Sequence, residues 1–218
     1  MPADLLTQED RAIERFCVVG QFSSDPPRFV RHVALYSSQR RVIKQGQLVA
    51  VAHMGPPLRA DGQIPVQIVG SIPLTVEEIS EIETWIEKIR DEYELAHARR
   101  FDQYVIHPVS EDFRDPNTGV RRYRRFSCAG FVIDAHREVE IDLLDTDDDN
   151  LPEVSQKELV AAYPEVDRMD VTRRERLGLK GDGPWRVVLA GYVCHSLNRP
   201  SEVIRSVPYK PRVTDKRF

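Results

Sequence analysis

The chain has 218 residues, 41% of them hydrophobic and 30% charged, which suits one domain with its own core and excludes the low-hydrophobicity bias of a disordered chain. With 31 Lys and Arg against 35 Asp and Glu, the formal charge of -4 gives no general attraction to phosphate backbones or anionic lipid, so nucleic acid is not an expected partner. No apolar run reaches membrane-spanning length, the first residues lack the basic start and apolar stretch of a secretion signal, and three cysteines without metal-ligand spacing argue against a disulfide scaffold and structural zinc. The expectation is one cytoplasmic domain over residues 1–218 that uses no metal or organic cofactor.

Residues 16–70 read as strands separated by turn signals. The clearest is the alternating run Val30, Arg31, His32, Val33, Ala34, Leu35 and Tyr36, in which His32 shares a face with Ala34 and Tyr36. A polar turn over 37–41 leads into Val42 and Ile43, Gly46 precedes the apolar segment 48–51, and Pro56-Pro57 and Asp61-Gly62 break the chain before a further run over 64–69. Thr75 and Glu78 match a capping box, and Ile79, Ile82, Ile86 and Ile89 follow at helical spacing, predicting a packing helix.

Residues 99–125 are polar and turn-rich, with an exposed loop at Asp115-Pro116-Asn117-Thr118-Gly119. The basic cluster Arg121, Arg122, Tyr123, Arg124 and Arg125 reads as a solvated segment. From Ser127 the pattern changes: Cys128, Phe131, Val132, Ala135 and Val139 share one helical face, so with Ser127 as cap the cysteine falls in the first turn of a helix. The acidic tract 145–150 lacks the glycine and closing glutamate of a calcium loop. Ser155 and Glu158 form a second capping box, opening a short helix that ends near Pro164. A charged helical segment over 173–176 runs to Gly178, residues 185–193 read as a buried strand, and Pro200, Pro208 and Pro211 mark 200–218 as an extended tail.

The residues with chemical potential are few. A thiol attacks as thiolate, and the amide dipoles of a helix N-terminus are one means of lowering its pKa and of holding an oxyanion, which makes Cys128 the candidate nucleophile. Small neighbours, Ala129 and Gly130, leave room for an acyl group to approach. Such a nucleophile needs a base, and His32 on its alternating strand is the best placed of six histidines. His195, after Cys194 at the end of the run 185–193, is a rival, and His107 beside Pro108 another. His97 and His136 read as solvent-facing, and Cys17 and Cys194 as inert core thiols.

The segment Phe126-Ser127-Cys128-Ala129-Gly130-Phe131-Val132 resembles the nucleophile segment of NlpC-type cysteine peptidases, and His32-Val33-Ala34-Leu35-Tyr36 resembles their histidine strand. Since the histidine strand precedes the cysteine, the order is similar to that of the circularly permuted branch, which includes lecithin retinol acyltransferase relatives and YiiX-like proteins. The resemblance implies an α+β fold of permuted papain-like type, an antiparallel sheet packed on a helix that starts with the nucleophile. It also implies a cysteine-dependent hydrolase or acyltransferase acting on a peptide, acyl or lipid-like substrate. The family's third polar residue falls at Lys44, a cation that cannot accept a proton from imidazole. Gln45 is the favoured replacement and His53 the alternative. Tyr123, upstream of the cysteine, corresponds loosely to a family tyrosine that borders the oxyanion site. If no residue orients His32, the chain keeps the scaffold as an inactive binding or regulatory protein.

Overall fold

The computed structural model describes residues 10–12, 15–23, 28–37, 42–44, 46–55 and 58–217. They form an α+β fold built on an antiparallel five-stranded sheet. Strands β1 (Asp10–Ala12), β2 (Phe16–Phe22), β3 (Val30–Ser37), β4 (Val42–Lys44), β5 (Leu48–Met54), β6 (Leu58–Pro65) and β7 (Ile68–Gly70) come first, and the sheet order is β6-β5-β3-β2-β7. β1 and β4 pair separately, with Asp10 opposite Lys44. Helix α1 (Val76–Leu95), the hairpin β8 (Ser110–Arg114) and β9 (Arg121–Phe126), and helix α2 (Cys128–Arg137) follow. The remainder holds β10 (Glu153–Val154), α3 (Gln156–Ala162), α4 (Val171–Arg176), β11 (Trp185–Arg186), α5 (Ala190–Leu197) and α6 (Ser201–Ser206).

Period-two alternation gives the sheet two apolar faces. Phe16 and Val18 of β2 and Val33 and Leu35 of β3 turn toward the helices, where they join Phe131, Val132 and Tyr192 in the main core. Cys17, Val19, Ala34 and Tyr36 turn the other way and meet Val49, Val51, Ile64 and Val66 in a second cluster made from the strands and the β6–β7 connection. α2 packs on β3 and β5, and α5 on β3 and β7. Trp85 of α1 locks against Phe126 and Phe131, with ring centroids 5.7 and 5.2 Å away.

Both capping boxes form. Thr75 accepts from the Glu78 amide at 3.2 Å while the Glu78 carboxylate accepts from the Thr75 amide at 2.7 Å, and Ser155 and Glu158 repeat the exchange. The four arginines of β9 have carboxylate partners: Arg121 with Glu92, Arg122 with Asp115, Arg124 with Asp134 and Arg125 with Glu111.

Three expectations are corrected. Asp61-Gly62 does not break the chain but lies inside β6. Residues 185–193 are not one strand: after the short β11 the chain turns into α5, of which Ala190, Gly191, Tyr192, Val193, Cys194, Ser196 and Leu197 are buried. A helix apolar on nearly every side shows no polar stripe, and its sequence reads like a buried strand. Residues 200–218 are not an extended tail. α6 docks through Arg205, which donates to both Glu78 oxygens at 2.8 and 3.0 Å. The turn Val213–Lys216 is then tied down by Asp215, which accepts from the Tyr209 hydroxyl at 2.6 Å. The polar turn over 37–41 lies, apart from Ser37, outside the described residues.

Candidate active site

Cys128 is the first residue of α2, as the spacing predicts. Ser127 is the cap: its Oγ accepts from the Gly130 amide at 2.8 Å, and its carbonyl accepts from Phe131 at 3.0 Å. The amides of Cys128 and Ala129 remain without acceptors inside the helix. Ala129 presents its N–H to the Cys128 sulfur, while the Cys128 N–H serves the Tyr104 hydroxyl. The Val33 amide of β3 and the Tyr163 hydroxyl at the end of α3 also act on the sulfur.

These donors favour the thiolate, yet burial outweighs them and pushes the thiol above its ordinary pKa; Cys128 is 1% exposed. A helix-start cysteine is expected to be acidic, and here desolvation reverses the sign. The role given to Gly130 also changes. Its missing side chain serves packing, since a Cβ there would lie 1.8 Å from the Val109 carbonyl oxygen.

His32 meets a partner that the Lys44 register obscures. β4 leaves the main sheet to pair with β1, so the strand beside β3 is β5, and His32 Nε2 lies 2.8 Å from His53 Nδ1 with the rings nearly perpendicular. Room for the His53 ring comes from two glycines. A Cβ on Gly62 would fall 2.2 Å from His53 Nε2, and one on Gly55 2.9 Å from Nδ1. Burial, His53 and Arg31 push His32 down to about 3, and burial with Arg59 lowers His53. Both imidazoles are neutral at physiological pH. In the tautomer in which His32 Nε2 donates to His53, the His32 Nδ1 carries a lone pair, as a general base requires.

The structure joins His32 to His53, and Cys128 to the main chain at Val33, the residue after His32. Among the described residues no hydrogen bond links the thiol to the imidazole. Cys128 packs with Val33 and Leu35, whereas the alternation of β3 gives the His32 ring to the side of Ala34 and Tyr36, so the two approach the strand from opposite faces. A register shift opposite Gln21 and Phe22 lies at this point, a device that re-aims side chains. β3 and β5 are in register at Leu35 and Ala52, and the histidine pair lies beyond that contact.

Gln45 lies outside the described residues, and of Lys44 only the backbone is described. Tyr123 is away from the thiol, stacked on Phe113 at 4.7 Å and edge-on to Tyr93. Tyr104 and Tyr163 lie beside the sulfur instead. Neither carries a local sequence signal, because elements distant in the chain bring them to the sulfur. His195 is on α5 rather than at a strand end, with its ring 6.5 Å from that of Tyr209. His107 lies 3.4 Å from Asp148. His136 is not solvent-facing but 1% exposed, its Nδ1 2.8 Å from the Val132 carbonyl. Cys17 and Cys194 are buried, and burial lifts Cys194 to about 12.

No protein-family model, curated protein or solved structure matches the chain. Among the described residues no group of three or more His, Cys, Asp or Glu is arranged to hold a metal ion, and no helix is long and apolar enough to cross a membrane.

Proposed function

We propose that the chain is a cysteine-dependent hydrolase or acyltransferase of permuted papain-like architecture, with Cys128 as nucleophile, His32 as base and His53, in place of Gln45, as the residue that orients the base. The observation that carries this reading is the 2.8 Å contact between His32 and His53, one residue along β3 from the amide that faces the Cys128 sulfur. A catalytic imidazole needs a third polar group to fix its tautomer, and His53 supplies one despite Lys44.

In this mechanism the His32 ring must first turn from its own face of β3 toward Cys128; it then removes the thiol proton as the sulfur attacks the carbonyl carbon of an amide, ester or thioester. The C–S bond forms, the carbonyl π pair moves to oxygen, and the imidazolium returns its proton to the departing nitrogen, oxygen or sulfur as that bond breaks. Water or a second acceptor then attacks the acyl-enzyme with His32 again as base, releasing the thiol. The Ala129 amide at the start of α2, which faces the sulfur, is the main-chain donor assigned to the developing oxyanion.

The thiol's burial and raised pKa favour a second reading, in which the scaffold is retained as a binding or regulatory protein. Labelling by an acyloxymethyl ketone, which alkylates activated cysteines, separates the two. Wild type is expected to label at one site. Cys128→Ala should abolish labelling, His32→Ala should slow it by roughly 100-fold or more, and His53→Ala by less. Equal labelling of Cys128→Ala would refute the hydrolase reading, and a folded wild type that does not label would favour the scaffold.

A further inference from the structure

One helix N-terminus holds the thiol and a second faces the tyrosine beside it. α2 begins with Cys128 itself, and α5 begins at Ala190, whose N-cap Leu189 has no side chain able to close the helix end. Tyr163 lies between them. It is 2% exposed, and its hydroxyl completes no hydrogen bond of regular geometry, although the Ala190 amide and the Cys128 thiol are both close enough to act on it. A buried hydroxyl with no settled partner is costly, and native structures rarely keep one without a use. A phenylalanine would fill the same space without the orphaned oxygen.

The surroundings are otherwise poor in charge. Tyr104 follows the turn Arg100–Gln103, Glu165 stands two residues after Tyr163, Cys194 comes from α5, and Arg31 and His32 flank the contact on β3. Of these, Glu165 opposes a negative sulfur, and it is drawn outward by its ion pair with Arg31 at 3.3 Å on the surface. The Tyr104 hydroxyl faces the Cys128 amide and also acts on the Cys128 sulfur. The Ala190 amide pointing at the Tyr163 oxygen favours donation of the phenolic hydrogen away from α5, toward sulfur.

We propose that Tyr163 is a positioning residue for Cys128, its hydroxyl remaining uncommitted in the thiol state and donating a hydrogen bond to the sulfur once the proton has left. The inference rests on Cys128 being the nucleophile proposed above, but its test does not require turnover. Thiolate formation is followed by ultraviolet absorbance against pH, with the Cys128→Ser protein of the same background as blank so that tyrosine and the other cysteines cancel. Tyr163→Phe is expected to reduce the thiolate population of Cys128 at a fixed pH by roughly tenfold, since hydrogen bonds to charged groups are the stronger class. Its thermal midpoint should stay the same or rise, because no formed hydrogen bond is lost. Fluorotyrosine at 163, a better donor, should move the titration the opposite way and serves if the phenylalanine variant does not fold. An unchanged titration in both variants overturns the proposal. A shifted titration in a protein that never labels with the acyloxymethyl ketone leaves Tyr163 in its role and removes the hydrolase reading, whereas labelling with an unshifted titration does the reverse.

Discussion

Replacing Gly130 by alanine tests how tightly α2 is seated. In a helix the exchange ordinarily stabilises by about 0.5–1 kcal/mol, because glycine gives up more backbone freedom on folding. Here the new methyl would stand 1.8 Å from the Val109 carbonyl oxygen, 2.8 Å from its carbon and 3.1 Å from Val109 Cγ2. Favourable contact begins at roughly 3.5 Å, so the helix start and residue 109 must part by about 1.7 Å. That movement breaks the hydrogen bond from the Ser127 amide to the same oxygen, 3.2 Å long, and draws Cys128 away from Tyr104 and Val33. Overpacking of about 1–3 kcal/mol and a lost buried hydrogen bond of about 1–3 kcal/mol together exceed the helix gain. Gly130→Ala should therefore lose about 1–5 kcal/mol of unfolding free energy, seen as a lower urea midpoint by circular dichroism. A midpoint equal to or above that of wild type would refute the geometry on which the site is built.

Acid should weaken the fold earlier than carboxylate titration alone would. Burial holds His136 at about 4 and His32 at about 3 against 6.5 in the unfolded chain, so both stay neutral in the fold. Their contribution is complete above pH 6.5 and is lost as pH falls toward those folded values, about 3 kcal/mol for His136 by pH 4. Urea midpoints measured from pH 7 to 5 should fall, and less so in His136→Gln; a flat profile would contradict the burial of both rings. Thr75→Ala should cost about 1 kcal/mol through the lost cap. Glu78→Ala should cost more in the same unfolding experiment, because Glu78 also anchors Arg205 of α6, and equal losses would mean that α6 docking adds nothing.

What could be read from the chain was local. The capping boxes at Thr75 and Ser155, the helix beginning at Cys128 and the faces of β3 follow from residues within a few positions of one another, where propensity and periodicity act. Of the proposed site, Cys128 at a helix start and His32 on its strand were legible, but most of the residues around them were not. The residue beside His32 depends on which strand pairs with β3, and β4 is diverted to β1, so a count along the sequence arrives at Lys44, favours the adjacent Gln45 and leaves His53 only as the alternative. Gly62 carried a trace of the answer, since it lies within a strand where only a missing side chain makes room for an imidazole. Tyr104 and Tyr163 had no such trace, and the apolar surround of α5 concealed its helical period.

The two shifts at the site have a joint consequence for mechanism. Burial raises the thiol and lowers the imidazole, so each change opposes proton transfer from sulfur to nitrogen in the resting protein. The stable form is the neutral pair rather than a preformed thiolate and imidazolium, and an exposed thiolate would not be available to chance electrophiles. The proposed mechanism then requires the His32 ring to turn toward sulfur, and His32 lies next to the register shift opposite Gln21 and Phe22. A thiol needed only for packing would gain nothing from the Ala129 and Val33 amides and the Tyr163 hydroxyl directed at it. Donors that favour the thiolate are thus set against burial that disfavours it, which on the proposed mechanism confines the charge to the moment a carbonyl is in place.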